Sequence, residues 1–173
     1  MDGCFSTSTV AACDLVVWLK GTYISHQMTT QPWLWPIMET FHFIGLTLVI
    51  GIAGLFDLRL MGLTRRVSVQ AAMDLRGWAA LGVAISLVTG LLFFAGAPEQ
   101  YIPNSAFWGK LFFLTVAMLN IAFFETRLGE KMLTIGPGEN TPLSFKLTGA
   151  VSMGSWFLVL YFGRMLPFIG TAF

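Results

Sequence analysis

Residues 33–56, WLWPIMETFHFIGLTLVIGIAGLF, decide the fold. In this stretch only Glu39 and His42 are ionisable. A helix needs about 20 apolar residues to cross the hydrocarbon core of a bilayer, and this stretch supplies them. Pro32 and Pro36 suit a first helical turn, where a missing N–H costs nothing. The run closes at Asp57-Leu58-Arg59.

Three further stretches repeat the pattern, at about 77–95, 106–124 and 147–169. Arg76, Lys110, Glu125 and Arg164 mark or interrupt their ends. An unpaired backbone in hydrocarbon is too costly, so each reads as a helix. A closed barrel is excluded because the chain has no ten-residue alternating segments. Composition agrees. Of the 173 residues, 55% are hydrophobic and 11% charged, against about 25% charged in average soluble domains. That excludes an ordinary soluble domain and a disordered chain. A net charge of +1 implies no polyanionic partner and no nucleic acid. The expected fold is all-α, a polytopic membrane protein with a four-transmembrane-helix bundle over residues 31–173. The lipid bilayer is its first partner.

Residues 1–30 form a separate N-terminal segment. MDGCFSTSTVAAC lacks the basic and long apolar regions of a secretory signal peptide. Cys4 and Cys13 could close one disulfide in an oxidising compartment or stay as two thiols. In DLVVWLKGTYISHQM (14–28), Leu15, Val16, Leu19, Tyr23 and Ile24 fall near one helical face. This stretch is too short and too polar to span, and is expected to be an amphipathic helix lying in the membrane interface.

Basic residues set the expected topology. Arg59, Arg65, Arg66 and Arg76 flank the first connection, and Arg127, Lys131 and Lys146 flank the third. The positive-inside rule puts both in the cytoplasm and both termini in the periplasm of a bacterial inner membrane. Trp33, Trp35, Tyr101 and Trp108 then mark the outer boundary. Gly82, Ser86 and Gly90 form a small-residue stripe that fits close packing within the bundle or between copies of the chain.

Ionisable groups inside a membrane are expensive and tend to be functional. Laid antiparallel, the spans bring Glu39, His42, Lys110, Arg164 and Tyr161 to one outer layer, with Thr89 at comparable depth. Glu39 and His42, three apart, share a helical face. Such a layer suits three ligands. Haem b would take His42 as an axial ligand and Lys110 and Arg164 as propionate partners. A quinone would exchange hydrogen bonds or protons with His42 and Glu39. Copper would use His42, Met38, Met165 and His26, since imidazole and thioether suit Cu(I). The plainer alternative is an ion network that fixes helix register, with Glu39 paired to Arg164 and His42 bonded to Thr89. At the inner boundary Asp57, Arg59, Asp74, Arg76, Glu125 and Arg127 are expected to form a salt-bridge belt, with a proton path as the alternative. GPGEN (136–140) reads as a turn, and no nucleophile, zinc or phosphate-loop motif is present.

WLWPIMETFHFIGLTLVIGIAGLFDLRLMGL (33–63), LVTGLLFFAGAPEQYIPNSAFWGKLFFL (87–114) and Asn120 together resemble a family of small bacterial four-span inner-membrane proteins of uncharacterised activity. That family is loosely similar to copper-resistance D-like proteins and b-type cytochrome bundles. The resemblance covers roughly residues 30–125 and is most specific at ETFHFIGL and DLRLMGL. It implies a four-helix membrane domain and no established activity. Its members often carry further histidines near the start of span 2 and the end of span 3. Here those places read Met73-Asp74-Leu75-Arg76 and Phe124-Glu125, which counts against a bis-histidine haem. The expected function is therefore a membrane subunit of a larger complex, or a homo-oligomer, holding haem b or quinone near His42. The alternatives are a non-enzymatic accessory subunit and a copper-handling protein.

Overall fold

Backbone groups surrounded by hydrocarbon can bond only to each other, and the apolar stretches do so as helices. The computed structural model describes residues 10–136 and 138–169, and no strand occurs among the described residues. In chain order the helices are α1 (Val10–Lys20), α2 (Tyr23–Thr30), α3 (Leu34–Leu60), α4 (Val69–Asp74), α5 (Arg76–Gly96), α6 (Pro98–Tyr101) and α7 (Ser105–Phe123). A π-helical turn (Phe124–Leu128) then leads into α8 (Gly129–Met132), and α9 (Leu143–Met165) follows. Four helical stretches are long and apolar enough to cross a membrane: Leu34–Leu60, Val69–Gly96, Ser105–Met132 and Leu143–Met165. The protein is an all-α bundle of four membrane-spanning helices. At 27 residues, α3 is about 40 Å long, more than the roughly 30 Å of a hydrocarbon core.

The four spans pack in the order α5–α3–α9–α7. Two of these seams depend on glycine. A Cβ on Gly45 would lie 2.8 Å from the Gly82 carbonyl oxygen, and one on Gly82 would lie 2.8 Å from that of Gly45. The small-residue stripe of α5 therefore serves packing inside the bundle, against α3. Gly149 plays the same part between α9 and α3, where a Cβ would meet the Asp57 carbonyl oxygen at 2.9 Å.

By contrast, α5 and α7 make almost no contact along their length. Ties are seen toward the two ends. Phe94 and Phe107 stack with centroids 5.4 Å apart at the end where the 97–104 connection lies. Arg76 reaches Glu125 at 2.8 Å at the opposite end. Between these ties the side of the bundle is open, edged by the exposed side chains of Leu87, Leu91 and Leu111. The first of these ends, which also carries α1, α2 and the last turn of α9, is called the upper end below. The lower end holds the 61–68 and 133–142 connections.

Local caps place these elements. Asn104 caps α7 by accepting from the Ala106 amide at 2.9 Å. Its amide nitrogen donates to the carbonyls of Leu166 and Ile169, so one buried side chain starts α7 and fastens the end of α9. Ser68 caps α4 and Thr22 caps α2.

Several boundaries differ from the sequence reading. The first span continues through Asp57 and Arg59 to Leu60, because both charged side chains are buried in protein and do not need water there. The fourth runs over 143–165, four residues earlier than 147–169. The 14–28 stretch is two helices, since Gly21 and Thr22 interrupt it and Thr22 caps the second. Ser25 and Met28 of α2 are buried, while Val17, Trp18, Tyr23 and Ile24 are exposed. Cys13 is disulfide-bonded, and Cys4 lies outside the described residues.

Candidate functional site

Helices splayed on one side leave space inside, and two cavities among the described residues bear on function. The upper one has a volume of about 1020 Å³ and is walled by α2, α3, α5, α7 and the end of α9. Its polar lining includes Glu39, His42, Ser86, Glu99, Tyr101 and Lys110. Trp35, Phe43, Phe93, Phe94, Phe107 and Trp108 supply aromatic walls.

His42 sits on α3 with its Nδ1 2.7 Å from the Thr89 hydroxyl of α5. Thr89 is itself buried and donates its hydroxyl hydrogen to the Ile85 carbonyl at 2.7 Å. That hydrogen is used, so the Thr89 oxygen accepts from His42 and Nδ1 must carry the proton. In its neutral form the imidazole then keeps an unshared pair on Nε2. Phe93 meets the ring edge-on at 5.7 Å between centroids and fixes its plane. The result is an oriented imidazole with one acceptor nitrogen, on the wall of a cavity.

Lys110 of α7 lines the same cavity, and its stem lies along Gly163 of α9, where a Cβ would be 3.6 Å from Nζ. Glu39 lines it one turn above His42 on α3. Tyr101, in the connection above the spans, has its phenol pushed up to about 12, first by burial and then by the charge of Glu39. It therefore stays a neutral hydrogen-bond donor. Glu99 pairs with Lys20 of α1 at 2.7 Å, while its other carboxylate oxygen is buried without a partner. The Ser86 hydroxyl is also buried and unpartnered.

The expected residues divide clearly. His42, Glu39 and Lys110 share the upper cavity; Arg164, Tyr161, Met38, Met165 and His26 are not among its lining residues. The Arg164 guanidinium stacks on Phe168 at 5.2 Å and does not pair with Glu39. Tyr161 is exposed, with its ring against Phe162. His26 is exposed on α2. No group of three or more His, Cys, Asp or Glu side chains able to hold a metal occurs among the described residues. Sequence reasoning passed over Ser86, Glu99 and Met28. Of these, Ser86 lies one turn from Thr89 on the small-residue stripe, a signal that pointed toward the α3 seam.

The lower cavity measures about 350 Å³ and lies between all four spans. Its walls are mainly apolar, with Asp57, Asn120, Thr148, Ser152 and the Arg76–Glu125 pair as polar members. Asp57 is only 2% exposed, lies beside Ser152, and has one carboxylate oxygen buried with no partner. Arg59, fully buried, turns away from it and donates to the carbonyls of Val67 at 3.0 Å and Gly136 at 3.3 Å. The expected salt-bridge belt is thus narrower than the sequence suggests. Arg76 and Glu125 form an ion pair, Asp74 accepts from Gln70, and Arg59 fastens loop backbone.

Comparison with protein-family models, characterised proteins and solved structures finds no match for this chain, so the functional reading rests on the geometry of these two cavities.

Proposed function

We propose that the chain is a bacterial inner-membrane subunit that binds a quinone or quinol headgroup in the upper cavity. One observation carries this reading: Thr89 engages the His42 imidazole through Nδ1, which leaves Nε2 for a ligand, and the ring lines a cavity that also holds Lys110. A quinol hydroxyl can donate to Nε2, and a quinone carbonyl can accept from the Lys110 ammonium or the Tyr101 phenol. The aromatic walls suit a flat ring. The open side between α5 and α7 suits a ligand that arrives from the lipid, because its apolar tail can remain among Leu87, Leu91 and Leu111.

Haem b is favoured less. Its iron would want a second axial ligand opposite His42, and His26, Met38 and Met165 are placed elsewhere. Copper would need the same residues. The topology in this reading has the lower end in the cytoplasm, since Arg65, Arg66, Arg127, Lys131 and Lys146 lie there. The Cys13 disulfide supports an oxidising compartment at the upper end. The electrons would pass to or from a redox-active partner subunit, and α1 and α2, with their exposed apolar side chains, would lie along the outer membrane interface.

The test is tryptophan fluorescence of the purified protein titrated with a short-chain ubiquinone analogue, with Trp35 and Trp108 as reporters. Saturable quenching that is lost in His42→Ala and Lys110→Met is expected. Absence of saturable quenching, together with absence of quinone in a solvent extract, would overturn the reading. A Soret band in the purified protein would transfer it to haem b.

A further inference from the structure

The two cavities have three wall residues in common: Val49 of α3, Val83 of α5 and Trp156 of α9. Above this layer the polar members are Ser86, His42, Glu39 and Lys110. Below it they are Ser152, Asp57, Thr148 and Asn120, then the Arg76–Glu125 pair. Polar side chains therefore follow one another through the bundle and are interrupted by a single apolar layer.

Two buried atoms at the lower cavity have no partner. One is a carboxylate oxygen of Asp57, an acceptor; the other is the indole nitrogen of Trp156, a donor. Buried polar atoms left without partners carry a free-energy penalty of about 1–3 kcal/mol each, and ordered water is the usual remedy. Water fits here because it can donate to the Asp57 oxygen from the cavity that Asp57 lines. Asp57 is also not neutralised by a cation. The charged groups that face the cavity from the other spans are Arg76 of α5 and Glu125 of the π turn after α7, which are bonded to each other; α9 contributes no charged group, only Thr148, Ser152 and Trp156. Arg59, on the same helix as Asp57, donates to two loop carbonyls; its Nη1 is buried without a partner, and the residue does not line this cavity. A carboxyl so placed meets the bundle's requirement for charge neutrality by holding a proton.

We propose that the lower cavity is a hydrated inlet in which Asp57 binds a proton, and that the Val49–Val83–Trp156 layer is the barrier between this inlet and the His42 cavity. The proton leaves bulk water at the lower end, adds to the Asp57 carboxylate, and crosses by water chains that form when the apolar layer wets. It is received on the free Nε2 of His42 and released to the upper end. One positive charge crosses per proton, so net flux requires a compensating ion. This goes beyond quinone binding and does not depend on it.

The experiment is proton flux into liposomes that carry the full chain, read with an enclosed pH dye, with potassium and valinomycin supplying the compensating charge. Widening the barrier with Val49→Ala should raise the flux above that of the unaltered protein. Asp57→Asn introduced into Val49→Ala should return it to the rate of protein-free vesicles, and Asp57→Glu should preserve it. Each variant is first shown to be monodisperse in detergent, and Asp57→Asn should leave quenching by the ubiquinone analogue unchanged. The proposal is overturned if Val49→Ala gives no flux above protein-free vesicles, or if its flux is the same with and without Asp57. Loss of quenching in every protein with Asp57-dependent flux intact would remove the quinone reading and leave this one standing.

Discussion

Replacing Gly82 with alanine tests the seam on which the upper cavity is built. The new methyl group would sit 2.8 Å from both the Gly45 carbonyl oxygen and the Leu48 Cβ, and 3.0 Å from a Val49 methyl. Ordinary contact begins near 3.4 Å, so the two helices must part by about 0.6 Å. The two nearest obstacles are a backbone oxygen and a Cβ, which no rotamer change can move. Overpacking of this kind costs about 1–3 kcal/mol, and the better helix propensity of alanine returns about 0.5–1 kcal/mol. A net loss of up to about 2.5 kcal/mol is expected. Gly54→Ala is the matched control, because nothing lies within 4 Å of its Cβ position. It should be neutral or slightly stabilising. The assay is helix loss on titration of mixed micelles with a denaturing detergent, compared at the midpoint. Equal midpoints for Gly82→Ala and Gly54→Ala would refute the close crossing, and with it the placement of His42 against Thr89.

Thr89→Val should leave the His42 Nδ1 hydrogen without its acceptor, at a cost of about 1–3 kcal/mol, and weaken quenching by the ubiquinone analogue; Thr89→Ser should restore both. Arg59→Ala removes two charge-assisted bonds to loop carbonyls from a fully buried site, so a loss of about 3 kcal/mol is expected, read as faster proteolysis within 61–68 and 133–142. Asn104→Ala loses a helix cap worth about 1–2 kcal/mol and frees the last turn of α9, which hydrogen exchange over 161–169 should report. Lys20→Ala breaks a partly exposed ion pair and should shift stability by less than about 1 kcal/mol; a larger shift would mean that α1 is held by this contact more than by its packing.

The spans were legible because hydrocarbon imposes one rule on long stretches of backbone, and residues 33–56 obey it plainly. Their ends were less so. Asp57 and Arg59 look like a water boundary in sequence, but inside the bundle Arg59 finds carbonyls at Val67 and Gly136, 8 and 77 residues away. No local pattern reports such distant acceptors. In the same way, axial depth was readable and rotation was not. Glu39, His42 and Lys110 were assigned to one layer by counting rise per residue, and they line one cavity. Arg164 and Tyr161 sit at suitable depth, yet Gly163 is the residue of α9 that meets Lys110. One residue further along a helix is a turn of about 100°, which carries Arg164 out to Phe168. The Gly21–Thr22 break in the N-terminal segment was written in the sequence as a glycine followed by a capping threonine, but the apolar spacing across it masked the signal.

The π turn at Phe124–Leu128 has a consequence for tolerance to insertions and deletions. A turn of this kind holds one residue more than the regular repeat, and removing any one of the five would straighten the chain without shortening a loop. The regular repeat would then carry straight through, and Leu128 and Met132 would keep their seats beside Phe145. A single-codon loss there should be tolerated better than one in the middle of a span, and better than one in the 133–142 connection, where the Gly136 carbonyl and the Thr141 hydroxyl are bonded to Arg59 and Leu60.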